Sequence, residues 1–81
     1  MASVPAVRLS DLASGAKGQV QEVLGHPAFR QRMLALGITP GSPLAVLRRL
    51  PFHGPVEIVV RGTRIAVRLR DAQQISVLLR R

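Results

Sequence analysis

Apolar and polar residues alternate most cleanly over residues 64–70. Ile65, Val67 and Leu69 fall on one side, and Arg64, Ala66, Arg68 and Arg70 on the other. A period of two predicts a strand with one buried face. Further strands are predicted over 7–9, 44–50, 56–61 and 75–79, and a weakly alternating one over 19–24. Between the second and third of these the period changes. Phe29, Met33 and Leu36 stand at i, i+4 and i+7, the spacing of one helix face. Gly25-His26-Pro27 opens this helix, because proline is well tolerated in a first turn. A helix of about ten residues does not persist alone in water, so its Phe29/Met33/Leu36 stripe must dock on something.

Local punctuation sharpens the boundaries. Gly37 suits the left-handed position just past a helix end, with Ile38 packing back on Met33. Pro40 and Gly41 suit the second and third positions of a type II turn. Residues 10–18 are turn-like, and Gly62-Thr63 turns the chain between two strands. Asp71 is placed as N-cap of a single helical turn ending near Gln74. The sum is a mainly β domain of about five short antiparallel strands with one short inserted α-helix. Strands this short need their edges managed, and a small SH3-like barrel with the helix capping one end is the economical solution. One domain over residues 1–81 is expected, with residues 1–6 as a loose tail.

Charge changes the picture more than composition does. Twelve basic residues, eleven of them arginine, face four acids, for a net charge of +8. Such a domain suits nucleic acid, an anionic membrane surface or an acidic protein face; solvated surface arginines explain it equally well. With no cysteine, neither a disulfide nor a Cys-type zinc site supports the fold. No signal-peptide run and no stretch near ~20 apolar residues is present, which predicts a soluble cytoplasmic protein.

Catalytic patterns are missing. Asp11, Glu22, Glu57 and Asp71 are scattered over different elements, and the serines lie in turns without a nucleophile-elbow pattern. Gly15-Ala16-Lys17-Gly18 lacks the spacing of a phosphate loop. His26 and His53 are lone histidines, short of the three or four ligands a zinc site takes. The expectation is therefore a binding module, with no enzyme activity, cofactor or metal site. Nucleic acid is the alternative partner, since Arg64, Arg68 and Arg70 would line one face. Single-strand recognition leans on aromatic stacking, however, and the chain has only Phe29 and Phe52. In the connection Pro51-Phe52-His53-Gly54-Pro55, Phe52 has two readings. It tucks into the barrel end, the plainer one, or it stands exposed on a stiff hairpin as an anchor for a protein partner.

Three blocks together resemble the FeoA family of small cytoplasmic proteins of bacterial ferrous-iron transport. They are Leu9-Ser10-Asp11-Leu12 with Gly15, Gly18 and Val20; the run from His26 to Ser42 that holds Met33-Leu34-Ala35-Leu36-Gly37-Ile38-Thr39-Pro40-Gly41; and Leu50-Pro51-Phe52-His53-Gly54-Pro55-Val56 with Ile65-Ala66-Val67-Arg68 and Asp71-Ala72. The resemblance implies an SH3-like barrel and an accessory or regulatory role. The implied partner is the FeoB permease, through its cytoplasmic GTP-binding region, with membrane association only through that partner. It also implies kinship with domains of iron-dependent repressors, without their DNA-binding domain in this chain. The family's loop often reads Pro-Leu-Gly-Asp-Pro; here phenylalanine replaces leucine and the acid is missing. Candidate contact residues are Arg30, Arg32 and Met33 on the helix, Phe52 and His53 in the loop, and Arg64 and Arg68 on the strand. Met33 fits a core place under Gly37 better than a contact.

Overall fold

The computed structural model describes residues 6–80. In chain order these form β1 (Ala6–Arg8), a 3-10 turn (Leu9–Asp11), β2 (Lys17–Val23), α1 (Pro27–Ala35), β3 (Pro43–Arg49), β4 (Val56–Val60), β5 (Thr63–Val67), α2 (Leu69–Ala72) and β6 (Ile75–Leu79). One antiparallel sheet of six strands runs β1-β6-β2-β3-β4-β5. The mainly β, SH3-like expectation holds, with six strands rather than about five. The ladder stays open, since β1 and β5 lie at opposite ends of the strand order. Ala6, expected in a tail, pairs with Leu78 in β1; the rest of that tail lies outside the described residues.

Two bulges let a single sheet wrap one core. Register slips between Val20 and Glu22 on β2 and between Val46 and Arg48 on β3, so Gln21 and Leu47 are extra residues. Beyond each bulge the inside/outside parity inverts. That explains the weak alternation of 19–24, and it explains why Arg48 is exposed although Val46, two residues before it, is buried. Leu9, Val20, Ile38, Val46, Ile58, Ile75 and Val77 are sealed from solvent in the centre.

α1 begins where His26 accepts the Ala28 N–H on its Nδ1 at 3.1 Å, with Pro27 as the first helical residue. It ends in a Schellman motif: Ile38 N–H donates to Met33 O and Gly37 N–H to Leu34 O, both at 2.9 Å, with Gly37 at φ +91°. Phe29 and Met33 are buried as expected. Leu36 is not: it is the C-cap residue and 48% exposed, because the helix stops at Ala35. Ile38, fully buried, takes the third core place instead. Burying Phe29 and Met33, roughly 1.5–3 kcal/mol each, offsets the poor intrinsic stability of so short a helix.

The type II turn forms as predicted, with Ser42 N–H donating to Thr39 O at 2.9 Å and Gly41 at φ +89°. It is stitched to β2 by Gly41 N–H to Val20 O and Val20 N–H to Ser42 O. Two expectations about the end of the chain fail for a shared reason. β5 stops at Val67, not residue 70, because its partner strand begins at Val56, opposite Val67, and offers nothing further to pair with. The chain then turns into α2 with Arg68, not Asp71, as N-cap residue; Asp71 lies inside the turn. The β4–β5 turn is also one residue earlier than expected, on Arg61 and Gly62, both at positive φ.

Candidate interaction surface

Six of the seven candidate residues are exposed, and Met33 is core. The structure does not gather all of them. Arg30 and Arg32 are two positions apart on α1, so they diverge by about 200° around the helix axis. Arg30 shares a shallow cleft with Glu22, Val23 and Pro40 beside β2. Arg32 turns the other way, into a groove of about 420 Å³ between α1 and the β5–α2 segment. Met33 and Leu36 from the helix, and Ile65, Val67 and Arg68 from the other side, share that groove. Arg64, at the start of β5, is two residues from Ala66, which lines the same groove. The groove therefore holds three of the seven predicted residues, plus Leu36, which the sequence reading placed in the core. The signal for Leu36 was present: Gly37 ends the helix one residue after it.

Phe52 and His53 form a second feature. β3 and β4 continue past Arg49 and Val56 as a narrow hairpin: Leu50 N–H donates to Pro55 O, and Gly54 N–H to Pro51 O, both at 3.1 Å. Phe52 and His53 are the two central residues of this turn, at φ +59° and +58°. Two positive φ values in a two-residue hairpin loop are the type I′ pattern, which strongly prefers Asn-Gly. Phe52 is 96% exposed, which corrects the reading that it tucks into the barrel end; the hairpin register carries it outward. Because Val56 pairs with Val67, the tip leaves the sheet at the end where Arg68 begins α2.

The charges sort into tied and untied groups. Glu57 forms a cross-strand ion pair with Arg48, whose hydrogen bond holds the carboxyl below its usual range; desolvation opposes this, and the nearby charges of Arg48 and Arg64 add to it. The same pair raises Arg48. Asp71 lies 3.8 Å from Arg68 Nε. Arg49 Nη1 donates to Leu12 O at 3.3 Å. Arg61 donates to the buried Ser42 hydroxyl at 3.3 and 3.4 Å, tying the β4–β5 turn to the Pro40-Gly41 turn. Arg32 stands 5.9 Å from the Phe29 ring centroid, at the limit of a cation–π contact. Among the described residues, Arg30, Arg32 and Arg64 have no carboxylate within ion-pair distance.

His26 is used in capping α1 and His53 is on the exposed tip. Among the described residues no three His, Cys, Asp or Glu side chains lie close enough to hold a metal ion. No helix there is long and apolar enough to cross a membrane. What the surface offers is an exposed aromatic, an apolar groove and unpaired guanidinium groups, the ingredients of a protein-docking face.

Comparison with known proteins bears on the fold and the family. The FeoA domain model matches residues 7–79. The Fe(2+) transport protein A/Fe(2+) transporter FeoB fusion protein of Porphyromonas gingivalis is 32% identical over 73 residues; the match spans 90% of this chain and 9% of the fusion protein. The crystal structure of an iron uptake regulatory protein (FeoA) superposes with a TM-score of 0.87 at 36% identity, covering 94% of this chain and all of that one. A zinc-complexed FeoA from Stenotrophomonas maltophilia, described as a prokaryotic SH3 domain protein, superposes with a TM-score of 0.73 at 26% identity, covering 85% of this chain and 86% of that one. With the family model spanning nearly all of its length, and a sheet and inserted helix that superpose on solved FeoA structures, the chain belongs to the FeoA family.

Proposed function

We propose that this protein is an accessory of bacterial ferrous-iron uptake that docks the cytoplasmic, GTP-binding region of a FeoB-type permease. The observation that carries this reading is the Porphyromonas gingivalis protein, in which a domain like this one and the transporter share a polypeptide. A covalent link holds two modules at millimolar effective concentration without any strong contact. Where no such link exists, the encounter has to come from the domain's surface. The Phe52 tip and the untied arginines suit that task, because aromatic and arginine side chains carry most of the energy at protein interfaces. The net charge of +8 steers the domain to an acidic partner face, and the inner membrane is reached through that partner.

The test is co-purification with the cytoplasmic region of the cognate permease at low salt, with and without guanine nucleotide. Co-elution is expected, and Phe52→Ala should weaken it by about 2 kcal/mol, or roughly 30-fold. No association under either condition overturns the proposal. So does tight binding to polynucleotide instead, falling steeply above ~50 mM salt.

A further inference from the structure

β5 is an edge strand of template length. Among the described residues it pairs with β4 alone, and it contains no proline and carries no bulge. Its register fixes which backbone groups are spare. A two-residue turn makes Val60 and Thr63 a mutually bonded pair, so the bonded pairs alternate to Ile58/Ile65 and Val56/Val67. Arg64 and Ala66, opposite Val59 and Glu57, therefore aim their N–H and C=O groups away from the sheet. Among the described residues no backbone hydrogen bond joins either one to a loop or helix. The groove between β5 and α1 lies along this edge, with Met33 and Leu36 as its helix wall and Ile65 and Val67 as its strand wall.

We infer that β5 receives an extended acidic segment of a protein partner by strand addition. The segment pairs with the Arg64 and Ala66 backbone, sets alternate apolar side chains into the groove, and sets acidic ones on the other face, beside the unpaired Arg64. Strand addition takes affinity from main-chain bonds and specificity from pockets for alternate side chains, and this edge offers both. The charge decides the occupant. A second copy of this chain would bring another +8 molecule, and β5 against β5 would crowd the Arg64 of both copies onto one short ladder. A basic residue on an edge guards against self-pairing. The same residue, unpaired like Arg32 on the groove wall, welcomes glutamate or aspartate, whereas Arg68 is already engaged by Asp71. The inference rests on the protein-docking reading above and specifies its mode.

The probe is a peptide alternating valine and glutamate, matched in length to the five residues of β5, with the lysine-for-glutamate peptide as control. Binding to isotope-labelled protein is followed by amide shifts and hydrogen exchange. The expected result is shifts confined to β5 and the facing side of α1, slowed exchange at the Arg64 and Ala66 amides, and no effect of the lysine peptide. Ala66→Pro removes an outward N–H without removing a β4–β5 bond, and should weaken binding about tenfold. Should that variant fold poorly, Leu36→Glu, at a 48% exposed position, puts a repelling charge in the groove and should do the same. Uniform shifts, unchanged exchange at Arg64 and Ala66, or equal binding of the lysine peptide overturns strand addition. Permease association that survives Ala66→Pro and Leu36→Glu but is lost in Phe52→Ala overturns it too, while leaving the docking proposal standing.

Discussion

Replacing Phe52-His53 by Asn-Gly should make the protein more stable and less able to bind its partner. Both residues sit at positive φ, +59° and +58°, where an L side chain costs about 1–2 kcal/mol. Asparagine reduces that cost and glycine removes it. Little packing is lost, because Phe52 is 96% exposed and His53 is exposed as well. Against the gain stands the greater freedom of glycine in the unfolded chain, about 0.5–1 kcal/mol. The net expectation for Phe52→Asn with His53→Gly is a stabilisation of about 1–2 kcal/mol, hence a Tm rise of roughly 5–15 °C for a domain this size. With no tryptophan or tyrosine in the chain, urea unfolding by circular dichroism, with calorimetry, is the suitable assay. Phe52→Ala alone is the control: alanine keeps the left-handed penalty, so stability should move by less than about 0.5 kcal/mol while docking falls. An unchanged or lower Tm in the double variant would refute the claim of a strained turn. A double variant that is more stable and docks as well as the parent would refute the link between strain and function, which holds that costly backbone is kept where it positions a contact.

Four further substitutions probe the frame. A Cβ at position 37 meets nothing within 4 Å, so Gly37→Ala should cost only its φ penalty, about 1–2 kcal/mol; at position 18 it would stand 2.3 Å from Leu78 O and 2.8 Å from Val77 Cγ1, so Gly18→Ala should cost about 3 kcal/mol or abolish folding, and equal losses in urea melts would contradict this ranking. His26→Ala removes the side-chain cap of α1 and should lower stability by about 1 kcal/mol, read by the same melts. Glu57 is held below its ordinary value of 4.5, so its ion-pair contribution is complete above that value and disappears as pH falls through the lower folded value. The Tm gap between the parent and Glu57→Gln should therefore narrow below about pH 4.5, and a gap that widens there would show that the pair does not favour the folded state.

Elements whose boundaries are written in neighbouring residues were legible from sequence. Pro27, Gly37 and Pro40-Gly41 each act within a few positions, so α1 and the following turn fall where expected. Ile65 and Val67 reveal the buried face of β5 by alternation alone. What escaped depends on residues distant in sequence. The end of β5 is set by Val56, across the sheet, not by anything after Val67. The bulges at Gln21 and Leu47 invert parity with no local proline or glycine to announce them. Phe52 reads as core by its chemistry, and only the pairing of Leu50 with Pro55 and Pro51 with Gly54 carries it into solvent. The divergence of Arg30 and Arg32 was available from helix geometry at 100° per residue.

The open seam links the fold to its surface. Closure was the economical expectation, because short strands leave edges that templating partners can use. Here the two edges differ. Among the described residues β1 spans three positions, whereas β5 spans five and faces α1 across a groove. The helix that completes the core through Phe29 and Met33 is also the wall of that groove, through Leu36, because its glycine stop leaves Leu36 outside the buried stripe. Charge then selects what enters. Glu57 and Asp71 are each engaged by an arginine, and only Asp11 and Glu22 remain to set against the other basic residues. The domain cannot neutralise its own surface. An open strand edge on a self-repelling molecule resists aggregation with its own copies, yet stays available to an acidic chain.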